Sequence, residues 1–352
     1  MLKKFKQAAL KSLKSAGVST LVHNSSWRRQ RLLILAYHGI SLSDEHLWNG
    51  SQFLSADIFR TRLEMLKKSS CAVLPLGEAV ERLYSNDLPD RAVAITFDDG
   101  TSDFYRRAFP LFKEFGFPVT LYLTTFYCHY QKPVFDLMCS YLLWKGQTKT
   151  LDWKPLTGQD LKTDLRSNDF REAALSEIHA FACVQKLSAD EKDAFAASLA
   201  AHLGVDYAAL LEQRILHNLT AEEVGRLAAV GVDIQLHTHR HRTPMDRQLF
   251  LGEIEDNRKS IQEMTGKSPT HFCYPSGVYD LRFLPWLREA GVVSATTCEL
   301  GFASRSSDPL LLPRFLDNAT LSAIEFESWL TGISAALPRR SLRERAYAGG
   351  TS

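Results

Sequence analysis

Two carboxylates, Asp98 and Asp99, stand side by side between Phe97 and Gly100, at the end of the apolar run Ala92–Phe97. Adjacent carboxylates repel unless something cationic divides their roles, so the sharp expectation is one that binds a metal and one that handles a proton. The bland one is an Asp-Asp-Gly turn. Much later, three histidines fall within His237-Thr238-His239-Arg240-His241, again directly after an apolar run. Imidazole is a good ligand for a borderline divalent ion. On a helical turn or a tight loop the spacing of His237 and His241 lets both face one ion, while His239 points away. With Asp99 they make two imidazoles and one carboxylate. That set leaves positions open for water and substrate, as hydrolytic zinc sites do. A third apolar run, Arg31–Ile40, carries His38 near its polar end. A lone histidine there is more often structural than catalytic.

These residues need elements that bring strand ends together. Short apolar runs without alternation read as strands buried on both faces, as in a parallel sheet. They fall at Leu32–Tyr37, Ala92–Phe97, Pro118–Thr125, Val232–Leu236, His271–Tyr274, Val292–Thr296 and Leu310–Arg314. Helical patterns separate them at Ser55–Lys68, Leu76–Tyr84, Phe104–Phe115, Leu249–Met264, Phe283–Ala290 and Phe326–Ile333. Another opens at Thr220, with Glu223 completing a capping box. About seven parallel strands with interleaved helices predict an α/β fold, a distorted, incomplete (β/α) barrel. Sites in such folds lie at the C-terminal strand ends, where the Asp and His motifs fall. The strand rhythm stops over 128–217, a helical stretch too long for a bare loop. It reads as an insertion over the site: a substrate wall, a cap over apolar surface, or both. The expected division is a basic amphipathic segment over 1–30, a catalytic barrel over 31–335 and a loose tail over 336–352.

The 352 residues carry a formal net charge of +2, which gives no general argument for nucleic acid. The six cysteines are scattered without a C-x-x-C pair, which fits a reducing compartment rather than a disulfide framework or zinc ribbon. No apolar run has the length of a signal peptide core or a membrane span, so a cytoplasmic protein is expected. Lysines 3, 4, 6, 11 and 14 alternate with Leu2, Phe5, Ala9 and Leu13 at helical spacing. Such a helix either lies on the anionic inner face of a membrane or packs on the domain.

Thr96-Phe97-Asp98-Asp99-Gly100 together with His237-Thr238-x-x-His241 resembles the polysaccharide deacetylase (NodB homology) family. Tyr37-His38 and Tyr274-Pro275-Ser276-Gly277 resemble further elements of it. The resemblance runs from Leu32 to Pro313, apart from the insertion. It implies metal-dependent hydrolytic removal of acetyl groups from N-acetylated sugars in a polysaccharide, glycolipid or glycan precursor. By resemblance Asp98 is the general base, and Asp99, His237 and His241 hold one divalent ion. That ion is zinc first, with cobalt, nickel or manganese as alternatives. Tyr274, Pro275 and Ser276 line the substrate, and the Ser276 N–H faces the oxyanion. Two departures stand out. Cys273 occupies the position where the family usually has an arginine that orients the base, and Arg314 can supply that charge instead. The family's late Leu-x-His, whose histidine protonates the leaving amine, is missing, which makes His38 the candidate acid. An O-acetyl esterase, a non-sugar amidase and a non-catalytic glycan-binding relative remain as alternatives.

Overall fold

The computed structural model describes residues 2–336. The tail assigned to 336–352 lies outside the described residues except for Ala336. Seven parallel strands form the centre: β1 (Leu33–Tyr37), β2 (Val93–Phe97), β3 (Thr120–Leu123), β4 (Asp233–Leu236), β5 (His271–Cys273), β6 (Ser294–Leu300) and β7 (Leu312–Leu316). They run in chain order around a ring that β1 closes by pairing with both β2 and β7. Every residue of β1 and β2 is buried, as expected of strands covered on both faces. The (β/α) barrel is thus present, short of eight strands yet closed.

Register puts the chemistry on one rim. Tyr37 pairs with Phe97, so His38 and Asp98 leave the barrel side by side. Leu123 pairs with Leu236, and Leu236 with Phe272, which sets His237 between Thr124 and Cys273. β6 begins later than the sequence suggests and also ends later, the latter because a register shift between Thr296 and Leu300 lets it continue beside Arg314.

Helices cover the outside. α1 (Leu2–Ser15), α2 (Ala56–Lys68) and α3 (Leu76–Tyr84) precede β2, and α4 (Phe109–Phe115) follows it. The turn before α4, Phe104–Ala108, is a π-helical widening rather than regular α-helix. The insertion contains α5 (Phe135–Lys145), α6 (Asn168–Val184) and α7 (Ala189–Leu203). It also holds an antiparallel hairpin, Thr150–Asp152 with Lys162–Asp164, that its helical character hides. Its core is separate from the barrel's, with Met138, Tyr141, Trp153, Ile178 and Leu199 packed together and Phe53 joining them from outside the insertion. α8 (Ala221–Ala229) carries the capping box from Thr220 and Glu223. α9 (Arg247–Thr265) starts from the Asp246 cap and stops at the left-handed Gly266. α10 (Phe283–Glu289) and α11 (Ala323–Thr331) complete the layer.

α1 packs on α11. Leu10 is buried, Lys14 Nζ lies 2.6 Å from Glu327, and Lys6 Nζ 3.4 Å from Glu325. Lys4, Phe5 and Lys11 face solvent. No described helix is long and apolar enough to cross a membrane.

Candidate active site

Asp98 and Asp99 are neighbours in sequence and face different partners. Asp98 continues the line of β2, its N–H donating to the Tyr37 carbonyl at 2.9 Å. Asp99 then adopts φ 71° and Gly100 φ 81°, which turns the chain sharply. Asp tolerates the left-handed region better than most residues. At Gly100 a side chain would be strained by the positive φ and would also push Leu123 aside, since a Cβ there would sit 2.3 Å from Leu123 Cδ1. Asn218 Nδ2 donates to the Asp99 carbonyl at 3.1 Å and pins the turn.

Arg314 grips Asp98. Its Nη1 and Nη2 donate to the two carboxylate oxygens, each at 2.7 Å. The remaining donors reach the Thr297 carbonyl (3.0 Å), the Thr96 hydroxyl (3.2 Å) and Cys273 Sγ (3.1 Å). Arg314 is 0% exposed. Burial alone would push the Asp98 carboxyl up, but the Arg314 charge and hydrogen bonds outweigh it and hold Asp98 below the usual range. Cys273 Sγ lies 3.6 Å from Asp98, so the smaller side chain leaves room for the guanidinium arriving from β7. His38 Nε2 is 3.8 Å from the Asp98 Oδ2 and one-fifth exposed, open to the rim.

Asp99 faces the histidines. His237 Nε2 and His241 Nε2 each lie 3.2 Å from Asp99 Oδ1. All three ligand atoms fall within 4.8 Å of one another. His237 Nδ1 lies 2.9 Å from the Cys273 carbonyl. A carbonyl only accepts, which assigns the proton to Nδ1 and leaves the Nε2 lone pair aimed at Asp99. Two imidazole edges and a carboxylate oxygen converging this way fit a divalent cation, with a carbonyl orienting the ligand from behind. Burial favours neutral His241, but Asp99 dominates and raises its pKa; burial alone would push Asp99 up as well, yet it is held well below the usual range, with the hydrogen bond and charge of His241 among the causes. Asp98, His237 and Cys273 form a second close group. There both carboxylate oxygens are already committed to Arg314.

His237–His241 is a tight loop, not a helical turn, with Thr238 at φ 60° and His241 at φ 55°. His239 points away, its Nδ1 2.8 Å from the Thr125 hydroxyl. Two residues on α9 hold this loop, and neither stands out in the sequence. Asn257 accepts from the His237 N–H at 2.9 Å and donates to the Leu123 carbonyl and Thr125 hydroxyl, both at 2.9 Å. Glu253, one turn earlier, accepts from the Arg240 N–H at 2.8 Å and from Arg242 Nε at 2.6 Å. Their one signal is polarity at spacing four on the buried face of an amphipathic helix.

The remaining expected residues divide. Tyr274 is fully buried and donates to the Leu310 carbonyl at 3.0 Å, so its side chain is a packing element that cannot touch substrate. Pro275 is buried, Ser276 is exposed at φ 55°, and among the described residues the Ser276 N–H makes no backbone hydrogen bond. A cavity of about 250 Å³ opens at Asp99 and His241, lined also by Gln52, by Tyr127 just before the insertion, and by Val134, Asp136 and Leu137 within it. The insertion therefore does form a wall of the site.

The metal assignment yields a direct comparison. Asp99→Ala, His237→Ala and His241→Ala should each lose bound divalent metal, and His239→Ala should keep most of it. Asn257→Leu keeps the volume but removes the brace, and should weaken metal affinity roughly 10–100-fold. Elemental analysis and competition titration with a chelator read both. An empty His239→Ala, or an Asn257→Leu that binds as the parent does, contradicts the geometry.

The sequence over residues 85–295 matches the family described as polysaccharide deacetylase. Over 119 residues the chain is 29% identical to Bacillus subtilis YxkH, a match that covers 32% of this chain and 42% of that protein. The chain thus spans less than half the length of this curated relative. Among solved structures, it resembles the Streptococcus pyogenes deacetylase PplD in complex with acetate (TM-score 0.54, 20% identity, 83% of this chain and 94% of the other). It also resembles IcaB from Ammonifex degensii (TM-score 0.53, 17% identity, 86% and 97%). At these identities the likeness is one of fold. The family match covers more than half of the chain, and with the rim geometry it places this protein in the polysaccharide deacetylase family.

Proposed function

We propose that the protein is a metal-dependent hydrolase that removes acetyl groups from an N-acetylated sugar in a glycan, glycolipid or glycan precursor. The observation that carries this is the division of labour between neighbouring carboxylates. Asp98 is tied to Arg314, while Asp99 faces His237 and His241. Asp99, His237 and His241 would hold the ion, with zinc the first candidate for two imidazoles and a carboxylate. When bound, such an ion polarises the acetyl carbonyl and lowers the pKa of water. Asp98 accepts the proton of the attacking water, kept ionised and fixed in direction by Arg314. The Ser276 N–H, which makes no backbone hydrogen bond among the described residues, is available as a donor to the developing oxyanion. His38 protonates the departing amine as the C–N bond breaks, from a position on the same rim.

An O-acetyl ester needs less help with its leaving group than an amide, which separates the roles. Asp98→Asn should keep metal and lose nearly all acetate release from both N-acetyl and O-acetyl sugars. His38→Ala should keep metal and slow amide hydrolysis by about 10²–10⁴-fold, with a smaller effect on an activated acetate ester. If His38→Ala slows the activated ester as much as the amide, or slows neither, His38 is structural. Faster acetate release from O-acetyl than from N-acetyl sugars by the parent protein would favour an esterase.

Peripheral contact with an anionic membrane is part of the same proposal. Lys4, Phe5 and Lys11 form the outer face of α1, and all six cysteines are free, which suits a cytoplasmic setting. Each lysine near such a surface contributes about 1 kcal/mol. Lys4→Glu combined with Lys11→Glu should lower binding to phosphatidylserine vesicles by about tenfold or more. Unchanged vesicle binding would count against membrane contact.

A further inference from the structure

A second cavity, of about 230 Å³, is lined by residues of the insertion together with Phe126 and Tyr127, which immediately precede it. Tyr127 and Asp136 line both it and the cavity at Asp99, so the two share a wall. We propose that this second cavity is a subsite for a neutral sugar unit adjacent to the one being deacetylated, an inference that rests on the deacetylase function proposed above.

Its surface suits a saccharide and little else. One side is aromatic. Phe126 meets Tyr127 edge-on at 5.2 Å between ring centroids and lies within 30° of parallel to Tyr130 at 6.4 Å. A sugar ring presents flat C–H faces to such rings and hydroxyls at its edge. The other side, from α7, is polar. Asp193 accepts from Tyr207 at 2.8 Å and from Lys132 at 2.6 Å. Asp136 lies 3.0 Å from His179 Nε2. These carboxylates have lone pairs left for sugar hydroxyls.

The charges argue against the other ligand classes. Lys132 is spent on Asp193, and Lys192 lies over the Phe135 ring at 5.7 Å with Asp136 nearby. Two lysines and two aspartates make up the charged lining, so a phosphate or uronate would meet no net positive charge. An acyl chain would bury the Asp193–Lys132 pair without replacing its water. A neutral sugar, amphipathic in the same way as the walls, incurs neither cost. The arrangement also gives the insertion a role, since it supplies α7 and the 128–136 segment, and with them a grip on a chain rather than on a single sugar.

The test uses the full-length Asp98→Asn protein loaded with zinc, so that ligands bind without being consumed. Isothermal titration with β-1,4- and β-1,6-linked N-acetylglucosamine oligomers, one to four units long, reads the effect of length. The tetramer of at least one linkage should bind about tenfold or more tighter than the monomer, a gain of about 1.4 kcal/mol. Tyr130→Ala removes part of the aromatic side. Ala189→Trp fills the cavity from the first turn of α7 without deleting a contact. Each should bring the tetramer-to-monomer ratio close to one, with thermal melting confirming that the variants are folded. Equal binding of monomer and tetramer, or a length advantage that survives both substitutions, overturns the subsite and leaves the deacetylase function standing. If no oligomer binds while the parent protein releases acetate from N-acetylglucosamine, the subsite is likewise overturned. If no oligomer binds and no acetate is released from any N-acetyl sugar, the proposed function fails and the subsite with it.

Discussion

The ion pair between Arg314 and Asp98 is the interaction on which the rim depends. Both partners are removed from water, a desolvation that costs several kcal/mol per ion unless geometry and hydrogen bonding are complete. Here they are complete: two parallel bonds to the carboxylate, with the Thr297 carbonyl, Thr96 hydroxyl and Cys273 sulfur taking the other donors. A pair this constrained cannot swing toward the histidines. The carboxylate that follows it in sequence is the one left to face them. Bidentate geometry is also why arginine rather than lysine suits the position. The orienting cation arrives from β7 rather than from β5, and Cys273 on β5 leaves it room.

The second constraint is backbone strain at the same rim. Asp99, Thr238, His241 and Ser276 are non-glycine residues at positive φ, each costing on the order of 1–2 kcal/mol. Such conformations persist where the surroundings over-determine them. Asn218 does so for the Asp99 turn, and Asn257 and Glu253 for the histidine loop. Stability held in α9 is thus converted into a fixed distance between two imidazoles and a carboxylate. The loop carries the ligands, but the helix behind it sets their geometry.

Much of this was legible in the sequence because the signals were local. Apolar runs ending in polar clusters marked the strands and their C-terminal ends. The spacing of His237 and His241 pointed to a shared face. Thr220 with Glu223 marked a helix start, and the structure shows each of these elements. What was not legible depends on pairing between distant segments. Asn257 and Glu253 look like any polar residues on an amphipathic helix until the loop is laid against them. The hairpin at 150–164 has little alternation, and Trp153 anchors it only once its indole N–H reaches the Thr163 hydroxyl across the pair. Tyr274 shares a motif with Ser276, yet its ring turns inward to Leu310 while Ser276 turns out. The late end of β6 follows from a register shift that no periodicity announces.

The central claim is that Arg314 withholds Asp98, and the cysteine beside it, from the ion. X-ray absorption at the zinc edge of the zinc-loaded protein tests this most directly, because His237 belongs to both groups that can hold an ion and sulfur to only one. Asp99, His237 and His241 predict a coordination shell of nitrogen and oxygen alone, at about 2.0–2.2 Å. A sulfur scatterer at about 2.3 Å would place the ion with Cys273 and contradict the account.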